Sequence, residues 1–113
     1  MDRRILSCLA DVASSIDEIN EFVGSNRDFL VYRNDLKTKK AVERNLEIIG
    51  EAVNRILKAD PLFPISRARS IVDLRNRIIH SYDAISDEII WAIVIRELPE
   101  LKREVDDVLN QRL

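Results

Sequence analysis

Cysteine occurs once in the 113 residues, glycine twice and proline three times. With Cys8 alone, no intrachain disulfide can form and no thiolate cluster can hold a metal. A reducing, cytoplasmic setting is the expectation that follows. Aromatic residues make up only 5% of the chain and do not interleave with the basic ones, which argues against an extended base-stacking platform for single strands. No stretch approaches the roughly 18 consecutive apolar residues of a membrane span. The start, Met1-Asp2-Arg3-Arg4-Ile5, runs into an amphipathic pattern and lacks the apolar core of a signal peptide. A net charge of −2 excludes coating of nucleic acid by bulk charge, so any RNA contact must come from a local basic patch.

What is present is a chain that is 46% apolar and 34% charged, the balance of a globular helical protein. Its length suits one domain spanning residues 1–113. A core of that size is modest, and burial against a second copy would add to it.

The apolar residues recur at helical spacing. Ile5, Leu9, Val12, Ile16, Ile19 and Val23 form one stripe, ended by Gly24-Ser25-Asn26. Val42, Leu46, Ile49, Val53 and Ile56 form a second, on a helix that begins between Asp28 and Asp35 and ends near Lys58. Gly50 lies inside it at a cost of about 1 kcal/mol relative to alanine, and its place there is compatible with close approach of another helix. Asp60-Pro61-Leu62-Phe63-Pro64 is a turn. A third helix is expected from about Ser66 to Tyr82, with Ile71, Leu74 and Ile78 inward. After a short connection at residues 83–85, Ser86 reads as an N-cap with Asp87 and Glu88 favourably placed behind it. Val94, Leu98, Leu101, Val105 and Val108 line the last helix, where Pro99 should produce a kink. No β-type alternation appears, and the expected fold is all-α, an antiparallel bundle of four to five helices.

The third helix carries the chemistry. Arg67, Arg69, Arg75 and Arg77 stand there against one acid, Asp73, a local positive excess in an acidic chain. His80 is the only histidine, the residue type suited to proton transfer near neutrality, and arginine's planar fork matches phosphate oxygens. A lone histidine near a helix end is, equally, often just a cap of the helix dipole, and scattered arginines are usually a solvated face. Asn76 and His80 share a face, being four apart. Arg75 and His80 are five apart and diverge by roughly 140° on an ideal helix. Three resolutions are open: the arginine wraps around, the helix end distorts, or two copies of the helix pool their residues across a two-fold axis. We favour the last.

Arg75-Asn76-Arg77-Ile78-Ile79-His80-Ser81-Tyr82 resembles the R-x4-H-x-Y signature of HepT-like proteins in the HEPN superfamily. Arg44-Asn45-Leu46-Glu47-Ile48-Ile49-Gly50-Glu51-Ala52 is similar to that family's second-helix pattern, and Ile89-Ile90-Trp91 with Leu98-Pro99-Glu100-Leu101 to its last helix. The resemblance implies a HEPN-like bundle and a homodimer. It also implies the toxin of a toxin–antitoxin pair, an endoribonuclease that cleaves RNA with neither metal nor cofactor, the 2′-hydroxyl of the RNA acting as nucleophile. Carried to matching positions, His80 transfers the proton and Arg75 binds the scissile phosphate. Asn76 and Glu51 support them, and Arg67, Arg69 and Arg77 contact RNA. The cognate antitoxin, a minimal nucleotidyltransferase, would adenylylate Tyr82 and so block RNA entry. The competing reading is a non-catalytic helical partner or substrate subunit of such a nucleotidyltransferase. A weaker third is a module binding a small phosphate ligand. Cys8 and Trp91 read as packing residues.

Overall fold

Apolar stripes and aspartate or serine caps account for the helices found. The structure, a computed structural model, describes residues 2–25, 27–80 and 85–111. Asp2 caps α1 (Arg3–Val23) by accepting from the Arg4 amide, and Gly24, at φ 76°, ends it with its own N–H on the Asn20 carbonyl. A side chain is disfavoured at that φ, which is why glycine stands there.

Two further aspartates divide the next stretch. Asp28 caps a single short helix, α2 (Phe29–Arg33), and Asp35 caps α3 (Leu36–Ala59), accepting from the Thr38 amide at 3.1 Å and its hydroxyl at 2.7 Å. The apolar pattern predicts one helix beginning somewhere between these caps and does not separate α2. Tyr32 is the buried side of α2, and its ring lies 5.1 Å from that of Trp91, with Phe29 at 6.0 Å from the same indole. Trp91 therefore serves as the packing anchor expected of it.

The third expected helix is α4 (Ala68–His80). It starts later than Ser66 because Arg67 has a left-handed φ of 60°, outside helical geometry and uncommon for a side-chain-bearing residue. Positions 81 and 82 of the expected helix fall outside the described residues, as does Asn26. Ser86 caps α5 (Asp87–Ala92) with its hydroxyl accepting from the Ile89 amide at 3.2 Å. A π-helical turn (Ile93–Glu97) then leads directly into α6 (Leu98–Asn110). Where the sequence predicts a kink at Pro99, the structure has this wider turn: proline has no N–H to continue the ladder, and the Leu98 amide just before it donates to the Ile93 carbonyl.

α3 lies between α1 and α4, and α1 packs in turn on α6. Leu9, Val12, Ile16 and Ile19 of α1 meet Val42, Ile49, Val53 and Ile56 of α3, and Ile90, Val94, Leu98 and Leu101 close the core; all are essentially inaccessible. Each such side chain contributes about 1.5–3 kcal/mol by leaving water. Every predicted stripe residue is buried except Val23, Ile78 and Val108, which are half-buried at helix ends. The architecture is all-α and HEPN-like, with no strand among the described residues. Among the described residues no helix is long and apolar enough to cross a membrane.

Candidate functional site

Gly50 determines how α3 and α4 meet. A Cβ placed on it would collide with Cβ of Arg75, fall 2.8 Å from Arg75 Cγ and 3.3 Å from the Ile71 carbonyl oxygen. The close approach suggested by the sequence is thus made by α4, and the residue that fills the missing volume is Arg75.

From that point the Arg75 side chain runs along α3. Its Nη2 pairs with Glu51 Oε2 at 2.8 Å, and its Nη1 donates to Asn76 Oδ1 at 2.9 Å. The other oxygen of Glu51 accepts from Arg55 Nε at 3.1 Å, one helical turn on. One carboxylate therefore bridges two guanidinium groups. Arg75 is only 24% exposed, so its charge is screened less than that of a surface arginine and its geometry is more restricted. The Nε of Arg75 is buried and has no hydrogen-bond partner among the described residues.

Above this network opens a cleft of about 360 Å³, lined by Cys8 of α1, Arg44, Glu51 and Arg55 of α3, and Arg75 and Ile79 of α4 among others. Burial pushes the Cys8 thiol up, against the lowering effect of Arg55. That direction disfavours the thiolate, in keeping with a packing role.

His80 stands exposed on the last turn of α4 and does not line the Arg75 cleft. Asn76 is exposed on the same face, as are Arg69 and Arg77 on the open side of the helix. Asn76 thus joins the two parts of the segment: it holds Arg75 by hydrogen bond and precedes His80 by one turn. Arg67 lies at the other end of the helix, facing α6, where Glu97 at 3.6 Å and Glu100 at 3.5 Å face its guanidinium. It is not brought near Arg75. Tyr82 lies outside the described residues.

The structure thus gathers Arg75, Glu51 and Asn76 into one bonded group, leaves His80, Arg69 and Arg77 on the open face beside it, and sets Arg67 apart. Sequence reasoning did not include Arg55. Its spacing from Glu51, one turn along the same helix, is the signal that marks it.

Comparison with known proteins identifies the family. Residues 12–108 match the sequence profile of the family described as Ribonuclease HepT-like. Two Methanocaldococcus jannaschii proteins named as candidate RNases are 36% identical over 90% of this chain and 84% of the relative, and 32% identical over 96% of this chain and 93% of the relative. A Thermococcus cleftensis protein named as a candidate ribonuclease HepT is 36% identical over 90% of this chain and 93% of its own. No solved structure matches. A profile covering most of the chain, together with full-length relatives at this identity, places the protein: it belongs to the HepT-like ribonuclease family.

Proposed function

We propose that this ribonuclease is the toxin of a toxin–antitoxin pair, a metal-independent endoribonuclease that works as a homodimer. The observation that carries the reading is the half-buried Arg75 guanidinium, fixed by Glu51 and Asn76 on the same short segment as the chain's only histidine.

The chemistry follows from these groups. A neutral His80 imidazole accepts the proton of an RNA 2′-hydroxyl, and that oxygen attacks the adjacent phosphorus. The new 2′-O–P bond forms as the P–O5′ bond breaks, and the 5′-oxygen leaves with a proton returned by an imidazolium. The products are a 2′,3′-cyclic phosphate and a 5′-hydroxyl. Arg75 stabilises the negative charge that builds on the non-bridging oxygens, and a donor already held in place costs no reorganisation when that charge appears. Asn76 accepts a hydrogen bond from the guanidinium and so helps to hold it in place. Arg69 and Arg77, exposed on that side, supply phosphate contacts on the flanking strand. The antitoxin silences the enzyme by transferring adenylate to Tyr82, which adds negative charge beside a site built for phosphate.

The test is His80→Ala. It removes an exposed side chain, so the fold and melting temperature should hold while cleavage of RNA and toxicity are lost. Unchanged cleavage by that variant would overturn the assignment. Wild-type protein that binds a nucleotidyltransferase but never cleaves RNA would instead establish the adaptor reading.

A further inference from the structure

Two facts about Gly50 belong together. Its missing Cβ is the space in which Arg75 Cβ and Cγ lie, and the residue that follows it, Glu51, holds the far end of the same side chain. α3 therefore grips Arg75 at both ends, the stem at Gly50 and the guanidinium at Glu51, with Arg55 fixing the carboxylate from behind.

We propose that Gly50 is a positioning residue for the reaction: the absence of a side chain there sets where the Arg75 guanidinium sits, and the Glu51–Arg55 pair sets which way it faces. The inference rests on the ribonuclease reading above.

A glycine inside a helix is otherwise costly, at roughly 1 kcal/mol relative to alanine. Here the cost has a specific correlate. Alanine at position 50 cannot coexist with Arg75 in its present path, because the overlap is with Cβ and Cγ, the least mobile part of the side chain. The Ile71 carbonyl oxygen, 3.3 Å from the same point, is a second tight contact. α4 must move outward or Arg75 must leave its rotamer, and either displaces the guanidinium from Glu51 and Asn76. Glu51 has a second consequence. Its charge, shared with Arg55, partly offsets that of Arg75 in the free protein, so an arriving phosphate competes with a carboxylate for a guanidinium that lines the cleft. Positioning and counter-charge are thus supplied by one residue.

The test combines kinetics with a direct view of the arginine. With a labelled single-stranded oligoribonucleotide of mixed sequence as probe, Gly50→Ala should lower kcat between about 10- and 100-fold, the loss typical of a small misplacement. KM should change little, because flanking phosphate contacts remain. In an Arg75→Ala background the same substitution should lower kcat no further. In ¹⁵N spectra the Arg75 Nε–Hε signal should be that of a rigid group in wild type and of a mobile one in Gly50→Ala. An unchanged kcat with a rigid Arg75, or an equal kcat loss with and without Arg75, would overturn the proposal. Should Gly50→Ala fail to fold, Glu51→Ala takes its place: it should mobilise the same signal, whereas Glu51→Gln, which keeps an acceptor, should largely retain it. A rigid signal in Glu51→Ala would also overturn the proposal. The NMR reading stands even if wild type cleaves no RNA, so failure of the positioning role and failure of the ribonuclease reading are told apart.

Discussion

Mixing an Arg75→Ala protein with a His80→Ala protein asks whether the two residues act within one chain or between two. The structure frames the question sharply. Arg75 is drawn toward α3 by Glu51 at 2.8 Å, while His80 stands exposed on the open face of α4. The hydrogen bond from Arg75 Nη1 to Asn76 Oδ1 brings the guanidinium part of the way round the helix, but the backbone still separates the two side-chain directions by roughly 140°. A site completed across a two-fold axis resolves that divergence, because the His80 of one copy can face the Arg75 of the other.

The expected magnitudes follow. Each single variant loses most of its activity: removing a charge-stabilising donor costs about 10²–10³ in rate, and removing the proton-transfer group about 10²–10⁴. Random reassortment of the two variants gives heterodimers as about half of all dimers, and each heterodimer carries one intact Arg75–His80 pair out of two. The mixture should therefore recover about a quarter of wild-type activity per chain, at least tenfold above either parent. Subunit exchange is verified by native mass spectrometry, and initial rates are read on the labelled oligoribonucleotide. Mass spectra showing abundant heterodimer, with a rate still equal to that of the parents, would refute the shared site and place Arg75 and His80 in one chain.

Tyr32 offers a test of stability with a definite sign. Its ring is buried against Trp91, but its hydroxyl is buried with no hydrogen-bond partner among the described residues. Tyr32→Phe keeps the ring and removes the orphan group, so unfolding free energy should rise by about 1 kcal/mol and the melting temperature by about 4 °C; a fall would show that the hydroxyl is satisfied in solution. Burial, with smaller effects from Asp87 and Glu43, pushes the Tyr32 phenol above its ordinary range. The unfolded chain then loses this proton at lower pH than the folded one, so stability falls as pH rises past about 10. Denaturant titrations should show that alkaline loss diminished in Tyr32→Phe. Tyr82→Phe should remain toxic yet escape inhibition by a co-expressed nucleotidyltransferase, and adenylate found on that variant by mass spectrometry would rule out Tyr82 as the acceptor.

The helices legible from the sequence are those with a full apolar stripe. α1, α3 and the rod from α5 to α6 each show apolar residues at alternating steps of three and four, and those residues are the core. α2 escaped because five residues make little more than one turn, too short for a stripe to repeat. Its cap Asp28 and the cap Asp35 of α3 were both visible as aspartates, but nothing local says that two caps seven residues apart belong to two helices. Arg67 escaped for a related reason. It has a left-handed φ of 60°, and an arginine gives no local signal for that conformation in the way a glycine or asparagine would.

The site was legible in its residue types and illegible in its arrangement, and the cause is the same. Spacing along one helix tells which residues share a face, so Asn76 with His80 and Glu51 with Arg55 follow from the sequence. It does not tell the register between helices. Which α4 residue falls opposite Gly50 is decided by how Ile71 and Leu74 of α4 enter the core alongside Ile49 and Val53 of α3. A slide of one turn would set a different residue against the glycine, leaving Glu51 without Arg75 and Arg75 with room for many rotamers. The apolar core thus sets the geometry of the candidate site at a distance. By fixing the register it selects the arginine that α3 grips at both ends, and it leaves the histidine of the same helix facing outward, where on the proposed reading a second copy and the RNA meet it.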